Sequence, residues 1–223
     1  MFRTRLEDDS SAPPGITEIR VTGGTGSVEV RPGGGSQVTI HRKVHYFKPF
    51  QPPPAATHHV EGDVLYLDTN EGTKFPFFVA VDYVVEAPPG VRVSGKLSSG
   101  KLRLTGVSGV DVRTSSGAIA LTGVTGDITA KATSGAITGR ELRSGHIDAS
   151  TTSGRVSLDL AEPADVTAHA SSGAITVTVP DGRYRVDTKV TSGRTTVGVP
   201  NDPTGEHHLD LRASSGAITV AQR

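Results

Sequence analysis

The sequence has few of the residues that mark the commonest functional sites. It contains no cysteine, no tryptophan and a single methionine among 223 residues. Without cysteine the chain can form neither a disulfide bond nor a thiolate metal site. Lys plus Arg and Asp plus Glu each number 23, so the formal net charge is +0. A neutral chain without a basic run favours neither nucleic acid nor an anionic membrane surface as its partner.

Long hydrophobic runs are also missing. The longest apolar stretch, residues 75–85, is interrupted by Pro76 and Asp82 and is too short to span a bilayer. The start, Met1–Gly15, is polar and lacks the apolar centre of a signal peptide. We therefore expect no direct membrane insertion and a cytoplasmic location for the chain as given. The alternative is that it forms the soluble ectodomain of a longer envelope protein.

Glycine, in contrast, is abundant, and many of the 27 glycines stand in a repeated phrase. The phrase is Ser-Ser-Gly or Thr-Ser-Gly followed by a short β-like stretch, as in Ser115–Ile119. Successive copies lie 17, 18, 19, 19, 20 and 23 residues apart. Such a period is typical of stacked repeats rather than of a closed globule. We expect a structural role for the corner glycines, which are Gly100, Gly117, Gly135, Gly154, Gly173, Gly193 and Gly216.

Each repeat holds two stretches in which apolar residues alternate with polar ones. Ile119 and Leu121 illustrate the stretch after the corner, and Ile128 and Ala130 illustrate the stretch before the next corner. Half a period, about nine residues, fits one strand and a tight corner but not a crossover helix. Glycine suits such a corner because it accepts positive φ. The pattern predicts an all-β fold, a right-handed β-solenoid with two strands per coil and an N-terminal β-rich capping region.

The composition changes along the chain and predicts three parts. Residues 1–15 are expected to be a flexible lead-in, residues 16–92 an N-terminal β-rich cap that starts the solenoid, and residues 93–223 repeats of about 18 residues. In the cap, the stretch Val21–Val30 looks like an early repeat corner with Val28 and Val30 inward. The strands expected in the cap lie near Thr17–Thr22, Ser27–Arg31, Gln37–Tyr46, Val60–Asp68 and Phe77–Glu86.

The repeated Ser-Gly corners, together with the segment Val-Asp-Tyr-Val-Val-Glu-Ala-Pro-Pro-Gly-Val at 81–91, resemble a known family. This is the bacterial "putative adhesin" family of β-strand-repeat domains, and the resemblance covers about residues 16–222. It implies a β-solenoid without established enzyme activity and without recognised catalytic residues. Some relatives are tied to envelope-stress responses.

Several kinds of chemistry are possible on such a scaffold. A calcium roll needs stacked acidic turns, but after the corner glycines Gly100–Gly154 and the glycines between them (Gly109, Gly126 and Gly145) only Asp127 is acidic. A polysaccharide-cleaving enzyme needs clustered carboxylates, which the outward positions do not show along the sequence. The adjacent pairs His58-His59 and His207-His208 are poor chelates because neighbouring side chains on a strand point apart. We therefore expect no catalytic residue, no metal site and no cofactor.

Two segments are candidates for recognition. The chain ends within a regular repeat without a following cap, so we expect the last coil to offer an unpaired edge that could add to another strand. Its candidate edge residues are Ser214, Ser215, Gly216, Ala217, Ile218, Thr219 and Val220. The proline-rich stretch with Tyr46, Phe47 and Phe50 is either a recognition loop or a cap that folds back onto the solenoid.

These features predict a non-enzymatic scaffold or interaction module, whose partner is another protein or a second copy of itself. An adhesin-like or envelope-stress-associated binding domain is the alternative. A carbohydrate-active β-helix enzyme is a further alternative, and it would require a carboxylate cluster that forms only in three dimensions.

Overall fold

The computed structural model describes residues 4–46, 58–68 and 79–223. These residues form an all-β fold of 17 strands without a helix. The strands are β1 (Thr4–Ala12), β2 (Glu18–Thr22), β3 (Val28–Pro32), β4 (Val38–Tyr46), β5 (His58–Glu61), β6 (Val64–Asp68), β7 (Val79–Ala87), β8 (Arg92–Thr105), β9 (Gly109–Thr122), β10 (Ile128–Ser134), β11 (Ile137–Leu142), β12 (His146–Ser153), β13 (Val156–Leu160), β14 (Asp165–Ser172), β15 (Ile175–Val179), β16 (Tyr184–Val197) and β17 (His207–Gln222).

Strand pairing arranges these elements in two ladders, which we call ladder A and ladder B. In the repeat region neighbouring strands are parallel and shifted by one repeat, so that Ile128 lies between Val110 and Ile147. The long strands β8, β9, β16 and β17 give their first half to ladder A and their second half to ladder B. Ladder A runs β5, β6, β2, β8, β9, β10, β12, β14, β17, β16. Ladder B runs β1, β4, β7, β3, β8, β9, β11, β13, β15, β17, β16.

The hydrophobic core is built from the inward residues of both ladders, which form one cluster. The position two after the corner is fully buried from β9 to β15 and in β17, where it holds Ile119, Ile137, Val156, Ile175 and Ile218. Burying one such side chain stabilises the fold by about 1.5–3 kcal/mol. The predicted period-two alternation is confirmed for these strands, and the narrow core agrees with an apolar content of 35%.

The corner glycines are required because the stacked corners approach one another closely. A Cβ atom on Gly135 would lie 1.8 Å from the carbonyl oxygen of Gly117, and one on Gly154 would lie 2.0 Å from that of Gly135. No side chain fits at these distances. The reason predicted from sequence, positive φ, applies to four of the seven corners, where φ lies between 129° and 150°. Close packing of backbone on backbone therefore explains the repeated glycine better than the turn conformation does.

The N-terminal region differs from the prediction in two places. Thr4–Ala12, expected to be flexible, forms β1 and pairs antiparallel with β4. The acidic Glu7 and Asp8 stand opposite Lys43 and Arg42, which explains why a polar segment adds to the sheet here. The single strand expected at Val60–Asp68 is a hairpin, β5 and β6, that turns at Gly62 with φ of 62°. The early corner is confirmed, because Val28 and Val30 are buried and β3 pairs with β8.

The C-terminal order also corrects a prediction. The last strand, β17, does not end the stack, because it lies between β14 and β15 on one side and β16 on the other. The candidate edge Ser214–Val220 is therefore an interior segment of the sheet. The physical reason is that Ile218 and Val220 continue the buried column of Ile175 and Val177, whereas β16 carries the polar Thr195 at the same position. The more polar repeat, which contains β16, therefore lies at the end of the stack.

Candidate functional site

The free edge of the stack lies on β16. In the described part of the chain, this strand pairs with β17 on one side, and its other side meets an isolated bridge between Tyr184 and Asn201. The amide of Asn201 accepts from the backbone N–H of Val186 at 2.9 Å and donates to its carbonyl at 3.3 Å. Asp202 N–H donates to the Tyr184 carbonyl at 2.9 Å. The loop between β16 and β17 thus covers the first half of the edge, in ladder A.

Asp202 holds this covering loop in place. Its carboxylate accepts from the hydroxyl and backbone N–H of Thr204 and from Arg183, at 2.8–2.9 Å. These contacts, with the Thr204 hydroxyl contributing most, lower the pKa of Asp202 to about 2. The loop is therefore held by a charged carboxylate throughout the neutral range.

The second half of β16, Thr191–Val197, is exposed along its whole length. Val197 is 40% exposed, whereas its register partner Val220 is 1% exposed. Backbone direction can be read from the repeat, because Gly173 N–H donates to Ser215 and so points toward the next strand in the stack. By the same alternation Gly193, Thr195 and Val197 direct their N–H groups away from β17. This half of the edge presents both unpaired backbone and an uncovered apolar side chain.

A second feature emerges only from the strand register. Outward residues two positions before the Ser/Thr-Ser-Gly corner stack into one column on ladder A, and most of them are basic. We call this column the basic column; in stack order it holds Lys96, Arg113, Lys131, Ser150, His169, Arg212 and Lys189. The column is not evident along the sequence because its successive positions are 17–23 residues apart in the chain. Aligning the repeats on the corner glycine would have shown it.

Two rows of oxygen-bearing side chains flank the basic column. The hydroxyl row begins each corner and consists of Ser98, Ser115, Thr133, Thr152, Ser171, Ser214 and Thr191. The acidic column lies two positions before the basic column on each strand. It consists of Ser94, Asp111, Thr129, Asp148, Thr167, Asp210 and Asp187.

Shallow depressions follow the basic column and the hydroxyl row. One, of 420 Å³, contains Lys96, Arg113 and Lys131 together with hydroxyls of four successive repeats. Another, of 440 Å³, contains His169, Arg212 and Lys189 with three more hydroxyl residues. The two depressions lie along the same columns, so together they line one face of the stack from β8 to β16.

The remaining sequence candidates fall in different places. Tyr46 ends β4, while Phe47 and Phe50 lie outside the described residues, so the choice between recognition loop and cap stays a prediction. His58 donates to or accepts from Ser10 at 3.1 Å, and burial lowers its pKa. His208 contacts Asp187 at 2.7 Å, which lowers the pKa of that carboxyl together with Arg185. No group of three or more metal-ligating side chains occurs within residues 4–46, 58–68 and 79–223.

Comparison with known proteins identifies the class. The family model described as Toastrack DUF4097 matches residues 55–221, so the chain belongs to that family. Searching the curated proteins gave no match. In the described part of the chain, no helix is long and apolar enough to cross a membrane.

Solved structures with a similar fold come from bacteria. A Bacteroides fragilis NCTC 9343 protein described as a "putative adhesin" has a TM-score of 0.53 at 10% identity, with 99% of this chain and 97% of that chain covered. A "putative adhesin" from Parabacteroides merdae ATCC 43184 has a TM-score of 0.48 at 14% identity, with 97% and 95% covered. A "putative cell adhesion protein" from Clostridium sporogenes ATCC 15579 has a TM-score of 0.44 at 13% identity, with 99% and 100% covered. The first of these supports the overall fold and says nothing of individual residues.

Proposed function

We propose that this chain is a non-enzymatic interaction module that self-associates through the free half of β16. The observation that carries the proposal is the uncovered end of the stack at Thr191–Val197. We also propose that the chain winds as a right-handed solenoid with two strands per coil, since parallel crossovers overwhelmingly take that hand.

A second copy of the chain is the occupant that fits this edge best. Thr195 and Val197 stand in the same columns as buried aliphatic residues of the preceding repeats, such as Ile218 and Val220. Another β16 laid against the edge would pair the outward N–H groups and cover Val197, as the next repeat does elsewhere in the stack. Association of two β16 edges gives a closed dimer, whereas association of β16 with the β1 end gives an open filament.

Adhesin-like binding is the second candidate function. It is favoured by the fold shared with the Bacteroides fragilis protein, although a likeness at 10% identity concerns the fold alone. Under this alternative the module presents its outer faces to a partner and remains monomeric.

Light scattering and sedimentation over a concentration series test the proposal. Thr195→Pro removes an N–H that points away from β17 and so leaves the internal ladder intact. Thr195→Ser is the matched control, because it keeps the N–H and the hydroxyl. We expect concentration-dependent association of the wild type and of the serine variant, and a monomer for the proline variant. A wild type that stays monomeric at high concentration would refute self-association and favour adhesin-like binding.

A further inference from the structure

We infer that the basic column and the hydroxyl row form a binding face for a linear acidic polysaccharide, one whose sugar units carry carboxylates. The inference goes beyond self-association, because this face lies on the outside of ladder A and not at the end of the stack.

The spacing of the face is set by the sheet. Adjacent strands lie about 4.8 Å apart, so the seven positions from Lys96 to Lys189 span roughly 30 Å. Along an extended polysaccharide, each pyranose ring advances the chain by about one such strand spacing. Charged groups that such a chain directs to one side can therefore match strands of the sheet without stretching either partner.

The cations of the basic column are available to a ligand. Lys96, Arg113 and Lys189 are exposed and form no ion pair with the described residues. Lys131 contacts Asp148 at 3.2 Å and Arg212 contacts Asp210 at 2.8 Å, but both cations keep about half of their side-chain surface in solvent, 42% and 57%. Surface pairs of this kind contribute at most about 1 kcal/mol and exchange readily for a ligand carboxylate.

The rows beside the cations favour a sugar over other polyanions. Ser and Thr hydroxyls on one side can donate and accept hydrogen bonds with sugar hydroxyls, and Asp carboxylates on the other side can accept them. A nucleic-acid strand would meet no Phe, Tyr or Trp among the described residues of this face on which its bases could stack. A flat anionic membrane would contact the acidic column together with the basic column, whereas a narrow polysaccharide chain can lie over the basic column and the hydroxyl row alone. The mixture of charges explains why a chain without net charge can still carry an anion-binding face.

Binding of defined polygalacturonate fragments, followed by calorimetry and by NMR, tests the inference. The variant Lys96→Gln/Arg113→Gln/Lys131→Gln removes three cations from the basic column. The matched control Lys101→Gln/Arg140→Gln/Arg155→Gln removes three exposed cations, two on ladder B and one in the corner before β13. We expect the first variant to bind at least tenfold more weakly and the control to bind as the wild type does. Affinity should rise with fragment length up to about the span of the seven strands and fall with added salt.

Two further probes make the test specific. Fully methyl-esterified polygalacturonate keeps the sugar backbone but loses the charges, so we expect no binding. Thr195→Pro, which tests self-association, should bind the acidic fragments as the wild type does. Equal losses in both triple variants, or tighter binding of duplex DNA or of anionic vesicles than of polygalacturonate, would overturn the inference.

Discussion

The two ends of the stack are closed to different degrees. At the N-terminal end, β4 and β1 add antiparallel to ladder B, and the buried guanidinium of Arg42 pairs with Asp8 across them. At the C-terminal end, the second half of β16 has neither a following strand nor a covering loop among the described residues, and Val197 is exposed. The N-terminal end is closed by antiparallel strands, whereas the outermost strand at the other end, β16, is a regular parallel repeat strand.

The difference shows that position in the stack, rather than the local phrase, decides burial. Thr-Ser-Gly-Arg-Thr in β16 and Thr-Ser-Gly-Arg-Val in the repeat of β12 and β13 are nearly the same sequence. Leu158, four residues after the corner glycine, is 1% exposed there, while Val197 at the equivalent position in β16 is 40% exposed. A repeat strand buries its apolar column only when a neighbour lies on each side.

The largest effect should come from filling an interior corner. Gly135→Ala places a Cβ 1.8 Å from the Gly117 carbonyl oxygen, between corners that are fixed on both sides. We expect a loss of at least about 3 kcal/mol in the free energy of unfolding, measured by denaturant titration. Gly193→Ala meets a similar clash with Gly216, but β16 can move outward, so we expect about 1–2 kcal/mol. Equal losses at the two glycines would mean that the terminal repeat is held as firmly as the interior.

Shortening an apolar side chain should likewise cost more stability in the interior of the stack than at its β16 end. Ile175→Ala should cost about 2–5 kcal/mol, because Ile175 is fully buried between β13 and β17. Val197→Ala should change the stability of the monomer by less than about 0.5 kcal/mol. Thermal unfolding of dilute protein provides the comparison. A large loss for Val197→Ala in the monomer would show that its side chain is covered.

The N-terminal closure should depend on its buried cation. Arg42→Ala leaves the Asp8 carboxylate without its partner, and we expect a loss of about 1–3 kcal/mol. Amide hydrogen exchange should show faster opening of β1 and β4, with β10–β15 unchanged. Lys43→Ala, which removes the neighbouring and more accessible pair with Glu7, is the control and should have a much smaller effect. Uniform acceleration across the chain would contradict a local cap.

The covered half of the β16 edge should open when its amide cap is removed. Asn201→Ala removes the two hydrogen bonds to Val186, and we expect a loss of about 1 kcal/mol. Because more edge becomes unpaired, association measured by light scattering should increase. Asn201→Asp retains one acceptor for the Val186 N–H. Its stability and its association should therefore lie between those of the wild type and of Asn201→Ala. Unchanged association in Asn201→Ala would argue that this half of the edge is not accessible.

The smallest effect concerns pH. The pKa of Asp202 in the folded chain, about 2, lies below its ordinary value of 3.8. The contribution of this carboxylate to stability is therefore complete above pH 3.8 and is lost as the pH falls through about 2. Carboxyl NMR should report this low pKa, and exchange of the 198–206 loop should accelerate only in that acidic range. Asp202→Asn should abolish the pH dependence of the loop. A titration near 3.8 would show that the bonds to Thr204 and Arg183 do not persist in solution.

The repeats themselves could be predicted from sequence, because the corner glycines and the alternation of Ile119 and Leu121 are local signals. The order of the last two repeats could not be predicted from sequence. Whether β16 or β17 lies outermost depends on which strand packs better into the core, and Ile218 of β17 packs there better than the polar Thr195 of β16. The pairing of β1 was missed because Glu7 and Asp8 look solvated until Lys43 and Arg42 are placed opposite them. The basic column was missed because it is a property of register and not of adjacency.

Amide hydrogen exchange of β16 at low and high protein concentration tests the central claim most directly. We predict that Gly193, Thr195 and Val197 exchange rapidly in dilute solution and become protected as the concentration rises, while Ile218 and Val220 of β17 are protected throughout. Rapid exchange of β17, or protection of the three β16 amides that does not change with concentration, would contradict a stack that ends at β16 and associates through it.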